Sequence, residues 1–444
     1  MNAIGLDLGS TTLSALVVEE ESGEVLASRC IPGNAELDPD VPGGYLQDPK
    51  VLLKRSLELV EELKNDYGPI GSIGIDGQMH GMLYLDGAGE PVSPFYTWQD
   101  GRGALPYGGA SYAARLSRES GHNMATGFGL TTHYWHVANG LVPKDARQIS
   151  TIYDYVAMKL CGRSRPLLHS SSAASLGLFD REKGCWDQGA LKRAGLDQGL
   201  LPEVSDLPQT LGETKGGIPV GLTLGDNQAS FVGSVREMEK SVLVNMGTGG
   251  QVSMLAGAGS GPDIETRPLG EGAALWVGSS LCGGKSYALL KGFLESCGAT
   301  WDYEQMNALG LEALNARDPW TADTRYEGSR RQPGLRGSFG GISRHNFDAA
   351  HMIGAVLTGM AGELHELYAQ MLAAGGRAPS LLIGSGNAIR KNPALKAAFQ
   401  QVFGLEMFIP AHLEEAAYGA ALFGMVCSGR KEDLSAAQRL ITYQ

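Results

Sequence analysis

Five short stretches of this chain group residue types that can do chemistry. Gly9-Ser10-Thr11-Thr12 combines a glycine with three hydroxyls, two positions after Asp7. Small residues in such a turn let backbone N–H groups approach an anion, and the hydroxyls can donate to it. A carboxylate at the end of the preceding strand could hold a hydrated Mg²⁺ beside bound phosphates. Gly247-Thr248-Gly249-Gly250 offers the same arrangement, and two such hairpins facing each other could grip one polyphosphate. Either one alone is equally what a plain tight β-turn looks like. Gly225-Asp226-Asn227 puts an acid in a glycine-flanked loop, where it could take a proton from a substrate hydroxyl. Asp and Asn also serve in Asx turns and helix caps. Gln78-Met79-His80 and Trp98-Gln99-Asp100-Gly101-Arg102 supply amide, imidazole, carboxylate and guanidinium groups with an aromatic face, the set a hydroxyl-rich ligand needs. His122 and His365 stand alone and read as structural.

Two familiar phosphate signatures are not met. A P-loop is approached at Gly278 to Ser286, but one residue too many separates the glycine from Lys285. A dinucleotide fingerprint starts at Gly384-Ser385-Gly386, yet Ile389 occupies the place of its third glycine.

The elements that must position these loops alternate. Apolar runs Ala3–Leu8, Leu13–Val18, Val25–Ile31, Ile70–Ile75 and Leu381–Ile383 read as strands. Lys50–Lys64, Lys285–Leu294, His351–Leu372 and Ala394–Val402 carry helical spacing. The pattern predicts an α/β fold with sheets covered on both faces. Ser241–Ala256 echoes the N-terminal hairpin: setting Gly247 on Gly9 aligns Asn245 with Asp7, Thr248 with Ser10 and Met254 with Leu16. An echo about half a chain away suggests two domains of one architecture, with the boundary expected in the charged stretch Val235–Lys240.

Composition narrows the classes. At 444 residues with 43% hydrophobic content the chain can bury two good-sized cores. A net charge of −12 argues against nucleic acid and against an anionic membrane surface as partners, without excluding anionic small ligands. Glycine supplies 63 of the 444 residues, about twice the usual share, which points to many tight turns or close backbone approaches to a ligand. The six cysteines form no CxxC pair and no zinc spacing. With no leader pattern and no long apolar span, a cytoplasmic protein with reduced thiols is expected.

Taken together the motifs resemble those of the FGGY carbohydrate kinases. The resemblance spans essentially the whole chain through IGLDLGSTT (Ile4–Thr12), GIDGQMHG (Gly74–Gly81), TWQDGR (Thr97–Arg102), LGDNQAS (Leu224–Ser230), NMGTGG (Asn245–Gly250), GSFGGI (Gly337–Ile342) and IGSGNA (Ile383–Ala388). It implies a duplicated actin-like, ribonuclease-H-like fold of two domains with a central cleft. Residues 1–237 would form the sugar-binding domain, with the catalytic acid near its end, and residues 238–444 the nucleotide-binding domain. Asp226 would be the catalytic base. Gly9, Ser10, Thr11, Thr12, Gly247, Thr248 and Gly249 would line the phosphates of ATP, with Asp7 near Mg²⁺. Gly384, Ser385, Gly386 and Asn387 would meet the adenosine. Gln78, Met79, His80, Trp98, Asp100, Arg102, Asp226 and Asn227 would surround the sugar. Within the family, GQMHG is shared with xylulokinases, whereas the stretches around Trp98, Asp226, Gly341–His345 and Gly384–Ala388 look more like sedoheptulokinases. Two positions depart from the family pattern: Tyr153 stands where a lysine is usual, and Thr358 where an acid or amide is common.

The expected activity is ATP-dependent phosphorylation of the terminal hydroxyl of a ketose, sedoheptulose first, with D-xylulose or D-ribulose as alternatives. Domain closure near residues 235–240 would expel water, a competing nucleophile. The expected partner is a small-molecule sugar, with a homodimer left open. The rival from another class is an actin-like ATP-binding sugar sensor that transfers nothing. A helix-turn-helix extension or a cysteine pair, which such proteins often carry, is missing from the sequence. A nicotinamide-dependent oxidoreductase built on Gly384–Gly386 lacks the third glycine.

Overall fold

The apolar N-terminal runs become the centre of a sheet in the computed structural model, which describes residues 1–444 apart from Ala299, Arg330, Arg331 and Pro333. Asn2–Leu8 and Thr12–Glu19 are almost entirely buried, as strands covered on both faces must be. The sheet runs Thr210–Glu213, Pro219–Gly221, Ile70–Gly77, Asn2–Leu8, Thr12–Glu19, Val25–Pro32, with Leu224–Gly225 also paired to Ile70–Gly77. Asn2–Leu8 is antiparallel to Thr12–Glu19 and parallel to Ile70–Gly77. The crossover between those parallel strands contains helix Pro49–Tyr67, opened by an Asp48 cap on the Lys50 N–H and by proline in its first turn. Leu52, Leu59, Val60 and Leu63 form its buried stripe.

The chain divides into two compact units. The first comprises Met1–Arg236, Arg267–Ala273 and His412–Ile441; the second comprises Glu237–Thr266, Ala274–Ala411 and Thr442–Gln444. A single division near residue 237 therefore describes only the first crossing, because the chain returns twice to the first unit. The reason for the second return is visible in the glycines. Helix Glu415–Cys427 is rich in Gly and Ala and buried through nearly all its length. A methyl group at Gly5 would lie 1.8 Å from the Ala417 carbonyl oxygen, and one at Gly74 only 1.7 Å from that of Ala420. Part of the glycine excess thus serves backbone-to-backbone packing of this helix on the sheet, rather than turns or ligand approach.

The sheet that carries the second unit's strands runs Glu265–Gly270, Ala273–Ser280, Gly250–Leu255, Ser241–Met246, Leu381–Ser385, Met407–Phe408. Ser241–Met246 is antiparallel to Gly250–Leu255 and parallel to Leu381–Ser385, repeating the pattern around Asn2–Leu8. Val242, Val244 and Trp276 share a core with Val356, Met360 and Leu364 of helix Ala349–Ala373 and Phe399 of helix Pro393–Phe403. The architecture is the duplicated actin-like one. One detail of the sequence echo shifts. Leu8 pairs with Leu13, but Met246 pairs with Gly250, so the second hairpin loop is one residue shorter. Leu16 faces Gly5, and the matching partner of Leu243 is Ser253, which replaces the alignment of Leu16 with Met254.

Candidate active site

The first unit gathers acids at neighbouring strand ends. Asp7 is the register partner of Asp76, and Leu224 and Gly225 pair with Asp76 and Gly77 one strand further on. Asp226 then begins helix Asp226–Ser234, where the helix dipole favours a carboxylate. Ligands of open α/β sheets bind at such carboxyl ends. Asp76 is fully buried, and both its oxygens, like Oδ1 of Asp7, lack a hydrogen-bond partner. Burial and then the charge of Asp226 push the Asp7 carboxyl up, and burial and then the charge of Asp7 push Asp76 well up. Two adjacent acids that cannot both ionise comfortably are suited to sharing a proton or a cation. Asp76 escaped the sequence reading. Its signal is that it ends its strand as Asp7 does, two residues before a loop residue of interest.

Burial raises Asp226 to about 6, opposed by the Arg267 guanidinium and by the Asn227 N–H. The residue keeps part of its surface, so a substrate can reach it. Asn227 follows on the same helix turn. Arg267 was not singled out from the sequence, because nothing local marks it.

The Gly9–Thr12 loop is held from behind. Gln78 Nε2 donates to the Gly9 carbonyl at 3.5 Å and to Gln47 Oε1 at 3.0 Å, and Gln47 Nε2 donates to the Ser10 carbonyl at 2.8 Å. The Gly33 N–H donates to the Thr11 carbonyl at 2.8 Å. The acceptor side of the loop is thereby satisfied internally, while Thr11 and Thr12 are exposed. Gln78 is itself fully buried, so the structure makes it a support of this loop. Trp98, 47% exposed, donates from Nε1 to Ser10 Oγ at 2.8 Å.

His80 has φ +74°, a strained conformation for a residue with a side chain. Its Nδ1–H donates to the Ser175 carbonyl at 2.8 Å, and its ring stacks on Phe128 with centroids 4.5 Å apart. Met79 is buried, with its sulfur against Gly225.

Asp100 and Arg102 are both fully buried. Arg102 forms a fork on Asp100 at 2.6 and 3.1 Å, donates to Asp40 at 2.8 Å and to His136 Nε2 at 3.1 Å, and lies over the rings of Tyr96 and Trp135. His136 Nδ1–H donates to the Thr132 carbonyl at 2.9 Å. Burial and the neighbouring guanidinium lower the His136 imidazole to about 4, so it is neutral. These groups satisfy one another, and the Tyr45 N–H completes Asp100. The Asp100 and Arg102 side chains are thus themselves fully buried, while their partner Asp40 is half exposed. At the first departure from the family pattern, Tyr153 is fully buried, and Asp154 takes hydrogen bonds from Thr151 and Thr223.

In the second unit, three glycine-containing segments meet. The Gly284 N–H donates to the Gly247 carbonyl at 3.0 Å, and the Lys285 N–H to that of Thr248 at 3.2 Å. A methyl at Gly283 would strike Gly249 at 2.1 Å, and one at Gly386, with φ +86°, would strike the Met246 carbonyl at 2.5 Å. Asn245 Nδ2 donates to Ser385 Oγ at 2.8 Å. Gly247, Thr248 and Gly249 are exposed, and helix Lys285–Ser296 starts beside them without a side-chain cap. Gly283 and Gly284, passed over with the failed P-loop, belong to this group. Thr358 turns its hydroxyl onto the Gly354 carbonyl of its own helix at 3.0 Å.

Among the described residues no group of three or more His, Cys, Asp or Glu has the geometry of a metal site, and no helix is long and apolar enough to cross a membrane. The buried, partnerless oxygens of Asp7 and Asp76 nevertheless suit a hydrated divalent cation, which typically takes one or two carboxylates plus waters and phosphate oxygens.

Residues 2–233 match the N-terminal domain of the FGGY family of carbohydrate kinases, and residues 278–428 its C-terminal domain. The sedoheptulokinase of Mus musculus is 30% identical over 468 aligned residues, covering 94% of this chain and 96% of the mouse protein. Among solved structures, a xylulose kinase from Rhodospirillum rubrum superposes with TM-score 0.86 at 20% identity, covering 100% of this chain and 93% of the other. Plasmodium falciparum glycerol kinase with ADP superposes with TM-score 0.82 at 18% identity, covering 99% and 92%.

Proposed function

The chain belongs to the FGGY family of carbohydrate kinases, and from that premise we propose that it transfers the γ-phosphoryl group of ATP to the terminal hydroxyl of a ketose, with Asp226 as the base and sedoheptulose as the first substrate. The observation that carries the chemistry is the placement of Asp226. It sits at a helix start, beside the acids of two neighbouring strand ends and raised to about 6, which suits a base working near neutral pH. The sugar preference rests on the near full-length similarity to the mouse sedoheptulokinase. The glycerol kinase of similar fold was solved with ADP, which favours an adenine nucleotide here too.

In this reading Asp226 accepts the proton of the terminal hydroxyl as that oxygen bonds to the γ-phosphorus. The bond from phosphorus to the β,γ-bridging oxygen breaks and ADP leaves. The first unit supplies the sugar site through Met79, His80, Trp98 and Asn227. Gln78, Asp100 and Arg102 act one step back, holding the loops that carry these groups. Amides and hydroxyls of Gly9–Thr12 and of Gly247–Gly249 bind phosphates, and Gly384–Asn387 receives the adenosine. Asp7 and Asp76 would hold Mg²⁺, which offsets phosphate charge when bound. Positioning and charge neutralisation then supply most of the rate, as phosphoryl transfer requires.

The test is ADP release from Mg-ATP across sedoheptulose, D-xylulose, D-ribulose, L-ribulose, glycerol and gluconate. A preference of about tenfold or more in kcat/KM for sedoheptulose supports the reading. A preference for D-xylulose or D-ribulose moves the chain to the second reading within the family. ATP binding with no ADP release on any member would favour the sensor.

A further inference from the structure

We propose that Arg267 is a positioning residue for Asp226, brought to it by a seven-residue segment, Arg267–Ala273, that the fold fastens onto the first unit. The proposal rests on the kinase reading and adds to it a residue outside every motif of the family resemblance.

Arg267–Ala273 packs with the first unit although the chain on both sides of it packs with the second. Such a return orders backbone at an entropic cost, and several specific bonds offset that cost. Gln228 Nε2, on the helix that Asp226 begins, donates to the Pro268 carbonyl at 3.0 Å. The Glu271 N–H donates to the Asp206 carbonyl, and the Gly272 N–H to Asp206 Oδ2, both at 2.9 Å. Ser170 Oγ donates to the other Asp206 oxygen.

One imidazole then abuts the segment and reaches the base loop through the Ser171 hydroxyl. The Gly225 N–H, one residue before Asp226, donates to Ser171 Oγ at 3.3 Å, and that hydroxyl lies 2.9 Å from His169 Nδ1. On its other side, His169 Nε2 abuts Gly270, where a methyl would come within 2.8 Å and φ is +103°. His169 is fully buried. The segment can therefore lie this close only because residue 270 is glycine.

The fastened segment begins with Arg267, whose Nη1 lies 4.0 Å from Met79 Sδ. The same sulfur would be 2.9 Å from a methyl at Gly225. The thioether thus lies against both the guanidinium and Gly225, the residue before Asp226. Arg267 sets a fixed positive charge near Asp226 and so holds the carboxylate in one orientation for the substrate hydroxyl. Its pull on Asp226 is consistent with this.

The test uses the full chain on the sugar it prefers. R267Q is expected to lower kcat about 100-fold, the scale of a misplaced catalytic group, with KM for the sugar changed less than about threefold. R267K should recover to within about tenfold of wild type by restoring the charge without the fork. In a D226N background R267Q should cost less than about twofold more, since residues acting as a unit are not additive. G270A, which leaves Arg267 in place in the sequence but displaces the segment, should lose kcat as R267Q does. The proposal falls if R267Q, or G270A with an unchanged melting temperature, keeps kcat within about threefold of wild type, or if R267Q costs its full factor again in D226N. Wild-type silence on the whole sugar panel would instead overturn the kinase reading, and it is read before any variant is made.

Discussion

Asp7 stands directly opposite Asp76 in the parallel pairing of two central strands, and neither Asp76 oxygen is met by a donor. Parallel register places the two carboxylates side by side at the sheet's ligand end, and the next strand end launches Asp226. The strand ends are therefore acidic, which suits cationic partners such as the proposed Mg²⁺ and Arg267.

The pH dependence follows from the base. As the proposed base, Asp226 must be ionised to accept a proton, and burial pushes its carboxyl up to about 6. Activity is expected to fall as pH drops through that value, with a slope of one proton. The acid limb of kcat/KM on the best sugar checks this, and a limb near the usual aspartate value would contradict it.

The same shift has a stability consequence of definite sign. A carboxyl raised on folding contributes stability that is present below its unfolded value and is lost as pH rises through about 6. At pH above that point D226N should melt higher than wild type, by about 2 °C or more, while turnover drops by orders of magnitude. The gap should close in acid. Equal melting of the two proteins at both pH values would mean that folding leaves this carboxyl unshifted.

Arg102 is spent on Asp100, Asp40 and His136 and sits between two aromatic rings. R102M leaves Asp100 buried without its partner and should cost about 3–5 kcal/mol. Chemical denaturation reads the loss, which should exceed any change in KM for sugar measured below the new melting point.

The hydrogen bond from Trp98 Nε1 to Ser10 Oγ joins the loop proposed for the sugar to the loop proposed for the phosphates. W98F keeps the ring but removes the donor. A several-fold rise in KM for ATP is expected, with an unchanged melting temperature, because a partly exposed hydrogen bond contributes only about 1 kcal/mol. An unaltered KM for ATP would mean that this bond does not shape the phosphate loop.

Gly74 packs under the Ala420 carbonyl with no room for a methyl. G74A should therefore destabilise by more than about 3 kcal/mol, as forced overpacking of backbone does. A soluble variant with near-normal melting would show that the helix can lift from the sheet.

Much of this was legible in the chain itself. The N-terminal hairpin, helix Pro49–Tyr67 and helix Ala349–Ala373 follow from apolar runs and helical spacing. The hairpin echo pointed to the duplicated architecture, though a one-residue difference in loop length escaped an ungapped alignment. What local pattern could not give was which polar groups spend themselves inside the protein. Gln78, Asp100 and Arg102 read as sugar ligands because their types suit a polyol, but their burial depends on partners as distant as Gln47, Asp40 and His136. Arg267 was hidden for the same reason, since its meaning comes from a return of the chain and from no neighbour in sequence. The glycine excess was visible, but the helix that uses it lies some four hundred residues from Gly5.

That distance sets an order of events during synthesis. The sheet glycines of the first unit have no cover until Glu415–Cys427 has been made, so the unit begun first is completed only near the end of synthesis. A ribosome that has released only residues 1–237 would carry all the strands of this sheet but open grooves at Gly5 and Gly74, a state in which exposed apolar surface invites chaperones or aggregation. The second unit lacks only its last three residues, Thr442–Gln444, by the time residue 411 has emerged.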